Sequence, residues 1–135
     1  MFLIILLQIF INTYLDKNFM KKIGLFGGTF DPIHLGHTTI IECFINKCNL
    51  DICYIIPAKC SPFKQDQINL HPDNDRISLI QNAIKNIPNA KLSLFEINNT
   101  EISYSINTIQ YFKQIYPNDE IFLLIGYDVA MTFHK

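Results

Sequence analysis

Charge is scarce in this sequence, and neither sign prevails. Acidic and basic side chains make up 17% of the 135 residues and leave a net charge of −1. Proteins that hold nucleic acid gather Lys and Arg on one face, and Lys21-Lys22 is too short a run to do so. The four cysteines, Cys43, Cys48, Cys53 and Cys60, form no C-x-x-C pair. That excludes a zinc knuckle and a dithiol redox motif. Cys43 is expected on a core-facing helix and Cys53 in an apolar strand, where free thiols act as small hydrophobes, and a reducing cytoplasm suits them. No apolar run reaches the roughly 20 residues of a spanning helix, so no membrane partner is expected. Phe2 to Ile11 is apolar apart from Gln8, without the basic flank and cleavage site of a signal peptide. Met20-Lys21-Lys22-Ile23 reads as a natural beginning. Residues 1–19 are therefore expected to come from an upstream start codon, and residues 20–135 to form one domain with a real core.

Two familiar phosphate motifs are also missing. The glycines at 24, 27 and 28 do not fit G-x-G-x-x-G, and no Gly-Lys-Ser/Thr follows them. What stands there instead is Gly24-Leu25-Phe26-Gly27-Gly28-Thr29-Phe30-Asp31-Pro32-Ile33-His34-Leu35-Gly36-His37. An apolar strand runs into paired glycines, then a Pro-containing turn, then two histidines at the start of a helix. Gly27 and Gly28 are expected to let a ligand approach the backbone and to adopt dihedrals other residues avoid. A helix start offers unpaired N–H groups and the positive end of a dipole, which suit phosphate. His34 and His37, at i and i+3, can point to one side and donate ring N–H bonds to phosphate oxygens. The segment reads as a polyphosphate cradle. Two rival readings stay open: polar surface residues, and a metal site sharing Asp31, which would need further ligands.

Beyond it, apolar runs alternate with helical periodicity, the pattern of βαβ units on a parallel sheet. Strands are expected at Lys22–Phe26, Ile52–Ile56, Lys91–Ile97 and Glu120–Ile125, the last as a central buried strand. Helices are expected over 36–47, with Ile40, Ile41, Phe44, Ile45 and Cys48 inward, over 73–86 with Asp73 as cap, and over 105–116. The loop from Ala58 to Pro72 is long enough to be functional. Right-handed crossovers then give an α/β, Rossmann-like, doubly wound parallel sheet of strand order 3-2-1-4. Ligands bind such sheets at the switch point between strands one and four, where the cradle and Gly126-Tyr127-Asp128 would meet.

Gly27-Gly28-Thr29-Phe30-Asp31-Pro32-x-His34-x-Gly36-His37 resembles the H-x-G-H signature of the nucleotidyltransferase superfamily. With His at both positions it is most similar to the bacterial nicotinate mononucleotide adenylyltransferases. Pantetheine-phosphate relatives usually carry Thr where this chain has His34. Ile56-Pro57 with Pro62-Phe63-Lys64, then Arg76, Ser103-Tyr104-Ser105 and Ile125-Gly126-Tyr127-Asp128 resemble further segments of the same family. Ser105 replaces the family's usual Thr, and Tyr127 a small residue. The resemblance runs from about Lys21 to Lys135. It implies a C-terminal part missing from the sheet, and little turnover by residues 1–135 alone.

The resemblance implies adenylyl transfer from ATP to nicotinate mononucleotide, giving deamido-NAD and pyrophosphate. Mg²⁺ would be carried with ATP, with no dedicated metal cage. His34, His37 and Lys64 would act on the phosphates, with Gly27, Gly28, Thr29 and Phe30 lending backbone and Gly126 and Asp128 the nucleotide contacts. Arg76, Tyr104 and Ser105 would face the acceptor, Arg76 clamping phosphate, ordering the loop, or pairing with Asp73 or Asp75. A cytoplasmic location and a homo-oligomer are compatible with this reading. The alternatives are a sister enzyme using pantetheine phosphate or nicotinamide mononucleotide, and a nucleotide-binding fragment without catalysis.

Overall fold

The computed structural model describes residues 20–59, 71–99 and 105–125, with nothing of the Ser105 side chain. Four parallel strands form one sheet in the order β3-β2-β1-β4. They are β1 (Lys22–Gly28), β2 (Ile52–Pro57), β3 (Ala90–Leu92) and β4 (Glu120–Leu124). The helices are α1 (Leu35–Cys48), α2 (Asp73–Ile84), α3 (Phe95–Asn98) and α4 (Ser105–Ile115). The doubly wound order expected from the sequence is the observed one.

Strand alternation sorts the core into two layers. On one face Phe26, Cys53, Ile55, Phe122 and Leu124 meet Ile41, Phe44 and Ile45 of α1 and Ile80 and Ile84 of α2. On the other, Ile23, Leu25, Tyr54, Ile56, Ile121 and Leu123 meet Ile109, Phe112 and Tyr116. Because both faces are covered, β1 and β2 are apolar at nearly every position, as parallel strands are. Burial pushes the Cys53 thiol up to about 12, so it stays a neutral packing group. Gly24 sets how closely α1 lies on β1: a Cβ there would come 2.3 Å from Leu50 Cδ1 and 2.9 Å from Phe44 Cε1.

Several local expectations are corrected. Strand one extends two residues further, so Gly27 and Gly28 lie within β1, in register with Ile56 and Pro57. Cys43 is exposed rather than core-facing, and Ile40 is 46% exposed, because the buried stripe of α1 is Ile41, Phe44 and Ile45. Helix α2 is capped by Pro72 without a side-chain bond, and Asp73 pairs with Arg76 instead of capping.

Strand three is only three residues long, and the segment expected to continue it turns into α3. Its pairing with β2 stops at Leu92 opposite Ile55, after one further bond from Ser93 N–H to the Ile55 carbonyl. Phe95 then stacks on Tyr111 of α4, ring centroids 4.1 Å apart. A side-chain contact across the fold overrides the local alternation of Leu92 and Leu94. Strand four lies at one end of the described sheet, and Ile121 to Leu124 are half-buried rather than central. Among the described residues no helix is long and apolar enough to cross a membrane. The expectation for residues 1–19 lies outside the described residues.

Candidate active site at the carboxyl end of the first strand

The chain leaves β1 at Gly28, turns through Thr29 to Ile33, and enters α1 at Leu35. Extended backbone carries both glycines, since no described glycine has a positive φ. The left-handed conformation falls on Phe30, at φ 49°. The expectation of unusual dihedrals at Gly27 and Gly28 is thus corrected, while their lack of side chains matters. Gly28 lies under the Phe30 ring, with a Cβ position 3.1 Å from Phe30 Cζ. Gly27 is exposed, and its Cβ position has nothing nearer than Glu96 Oε2 at 3.7 Å. A bare strand end is therefore open to a ligand at Gly27.

Phe30 is 3% exposed, and its ring meets Phe26 and His37 edge-on at 5.2 and 5.1 Å. That anchor offsets the left-handed backbone, which a bulky residue otherwise avoids. The Asp31–Pro32 peptide bond is cis. Asp31 receives the His71 backbone N–H at 3.0 Å and also bonds its ring. The His71 N–H, foremost, holds the Asp31 carboxyl below its ordinary range. Asp31 thus faces the start of α2 rather than the two histidines. Among the described residues no three metal-ligating side chains cluster.

The histidines adjoin for a reason other than the i, i+3 helical face. His34 is the N-cap of α1, with extended backbone at φ −143° and ψ 179°. Its Nδ1 accepts the Gly36 N–H at 3.1 Å, and the His34 N–H is donated to His37 Nδ1 at 3.1 Å. This is a capping box built from imidazoles instead of Ser and Glu. The ring centroids lie 3.9 Å apart. Burial, and then the neighbouring His34, lower the proton affinity of His37, against the imidazolium character that a phosphate partner would favour. The first turn of α1 contains no acidic residue, so no side chain of that turn offsets its positive end. The first turn of α2 contains Asp73 and Asp75.

Arg76 is 1% exposed. Its Nη1 donates to the Thr29 and Ala58 carbonyls, each at 2.8 Å, and its Nη2 to Asp73 Oδ1 at 2.6 Å. Of the roles expected for it, the geometry shows loop ordering and the Asp73 pair together. Buried in this way, the guanidinium fastens the ends of β1 and β2 from beneath and does not line the open side. Ala58 N–H donates to the Gly28 carbonyl at 2.8 Å, which closes the same brace.

His34, His37, Gly27, Gly28, Thr29 and Phe30 are therefore brought together. Lys64, Tyr104, Gly126 and Asp128 lie outside the described residues, as does the Ser105 side chain. Two residues had no signal in the sequence. His71 is 40 positions from Asp31, and Glu96 falls in a segment read as strand. Glu96 is 8% exposed and directs its carboxylate toward Gly27. A separate open cavity of about 670 Å³, lined among others by Tyr54, Ser93, Phe95, Asn98 and Tyr111, lies over the α4 face of the sheet.

Comparison with known proteins agrees with this architecture. Residues 25–135 match the cytidylyltransferase-like family. Nicotinate-nucleotide adenylyltransferase of Bacillus subtilis is 38% identical over 116 residues, which are 86% of this chain and 61% of the relative. A Vibrio parahaemolyticus crystal structure described as a candidate nicotinate-nucleotide adenylyltransferase is 28% identical, with TM-score 0.67 over 85% of this chain and 63% of that one. Nicotinic acid mononucleotide adenylyltransferase of Plasmodium falciparum, at 20% identity, shares the fold, with TM-score 0.69 over 83% of this chain and 54% of that one. The chain spans about three fifths of the length of the Bacillus relative.

Proposed function

Because the chain belongs to the cytidylyltransferase-like family, we propose that it carries out adenylyl transfer from ATP to nicotinate mononucleotide in NAD biosynthesis. The observation that carries the reading is the imidazole pair, set at an anion-attracting helix start beside a strand end without side chains. The name of the Bacillus relative supports the acceptor. His at position 34, in place of the Thr usual in the pantetheine-phosphate relatives, points the same way.

In this reaction a phosphate oxygen of the mononucleotide attacks the α-phosphorus of ATP. A new P–O bond forms as the bond to the bridging oxygen breaks, and pyrophosphate leaves. Little covalent help is needed; alignment and charge neutralisation dominate. His34 and His37 donate to the phosphates from Nε2. The α1 N-terminus and the backbone from Gly27 to Phe30 hold the same oxygens, and Lys64 supplies a cation. Gly126 and Asp128 hold the nucleotide, while Tyr104 and Ser105 face the acceptor ring.

The donor set at the cradle is N–H groups; of the carboxylates beside it, Asp31 is taken by His71, and Glu96 approaches only at Gly27. Such a site fits an Mg²⁺ that arrives on the nucleotide better than one caged by protein. When bound, the ion would neutralise phosphate charge. The enzyme works in the cytoplasm, and a homo-oligomer is compatible with it.

The test is pyrophosphate release from ATP by the full-length protein with nicotinate mononucleotide, nicotinamide mononucleotide or pantetheine phosphate. The first acceptor is expected to give the highest kcat/KM. His37→Ala is expected to lower kcat by about 10²–10³, the usual loss for one preorganised donor. Faster turnover with pantetheine phosphate would establish the sister reaction, and no turnover with any acceptor would leave a binding module.

A further inference from the structure

A neutral imidazole carries one proton, and the nitrogen that accepts a hydrogen bond cannot be the one that bears it. In both histidines the accepting nitrogen is Nδ1, and both donors are backbone N–H groups. We infer that His34 and His37 act as one neutral pair, each locked as the Nε2–H tautomer by the cap of α1, and that Gly36 is the positioning residue that permits the lock. The inference rests on the proposed phosphate cradle for its purpose, not for its geometry.

Gly36 has a specific reason to lack a side chain. A Cβ there would lie 2.8 Å from His34 Cε1 and 2.9 Å from His34 Nδ1. Those distances are shorter than carbon contacts allow, so any other residue drives the ring off its own cap. The effect then passes along the pair. Moving His34 shifts the backbone N–H that holds His37 Nδ1, and the two rings lie 3.9 Å apart with their planes tilted by 35°. His37 is fixed from the other side by Phe30 and Phe26, at 5.1 and 6.4 Å between centroids.

The surroundings of His37 oppose a second proton. Protonating its Nδ1 would set an N–H against the His34 backbone N–H it now accepts and place a charge beside the His34 ring. The groups packed on the pair from β1 and the turn are Phe26 and Phe30, which carry no charge. The first turn of α1 is free of acid. Asp31 is bonded to His71, and Arg76 of α2 lies beneath the Thr29 carbonyl. Glu96 of α3 lies on the Gly27 side of the cradle, its Oε2 3.7 Å from the Gly27 Cβ position. The lowered proton affinity of His37 agrees with the opposition to a second proton. An anion therefore meets two outward donors that keep their form when it binds.

Long-range ¹H–¹⁵N correlation of the ring nitrogens in the labelled full-length protein tests the inference, with inorganic tripolyphosphate as probe. Both rings are expected as Nε2–H tautomers at pH 7.5, unchanged on adding tripolyphosphate. On acidification, the backbone N–H resonances of His34 and Gly36 are expected to move together with the ring nitrogens. Gly36→Ala is expected to keep its helical circular dichroism, show mixed tautomers, and bind tripolyphosphate about 10-fold more weakly. An Nδ1–H form of either ring, backbone resonances indifferent to ring protonation, or wild-type tautomers in Gly36→Ala would overturn it. If Gly36→Ala fails to fold, the wild-type titration alone decides. Locked tautomers without tripolyphosphate binding would uphold the lock and sink the functional reading instead.

Discussion

Arg76 shows how a single side chain can take a role its neighbours in sequence do not announce. Its guanidinium is bonded to the carbonyls of Thr29 and Ala58 and to Asp73, with almost no exposed surface. Removing it strands the Thr29 and Ala58 carbonyls, each of which costs about 1–3 kcal/mol when left unsatisfied in the interior, whereas Asp73, 42% exposed, turns to water. Arg76→Met is expected to destabilise the fold by about 2–4 kcal/mol in urea unfolding. A change within 0.5 kcal/mol would show that the brace is dispensable. The importance of the residue was legible in the sequence, but its direction was not. Whether an arginine at a helix start reaches outward or inward depends on where that helix packs. His34 and His37 were legible for the opposite reason, because a glycine and two histidines in four residues constrain each other locally. Even so, the cap that pairs them was missed, since imidazole is an uncommon N-cap.

At the scale of elements, strand and helix positions were read well wherever burial on both faces left a continuous apolar run. The reading failed at β3, where alternation over Leu92 and Leu94 suggested a longer strand. Pairing with β2 ends at Leu92, and Phe95 stacks on Tyr111 of α4 instead. Close packing of α1 on β1 depends on Gly24, whose bare Cα receives Leu50 and Phe44. Gly24→Ala is expected to cost about 1–3 kcal/mol, the usual price of overpacking a filled core. Thermal unfolding measures it. An unchanged midpoint would mean that α1 can move outward freely.

For the whole molecule, the order 3-2-1-4 followed from the alternation of elements and the handedness of crossovers. Two layers form because α1 and α2 cover one face and α4 the other. Acid is expected to loosen this arrangement through His37. Its folded proton affinity lies below the ordinary 6.5, so the unfolded chain takes up the proton first. The corresponding stability is fully present above pH 6.5 and is lost as pH falls from there toward the folded value. The urea midpoint is expected to be lower at pH 5.5 than at pH 7.5, and His37→Asn is expected to flatten the difference. An equal slope in the variant would assign the effect to other groups.

Both margins of the interval between Lys59 and His71 are tethered. Ala58 is bound to Gly28 and Arg76, and His71 to Asp31. Insertions or deletions within that interval would consequently leave the phosphate-facing turn unmoved. Nature, or an engineer, could rewrite that interval around Lys64 without rebuilding the turn that carries His34 and His37.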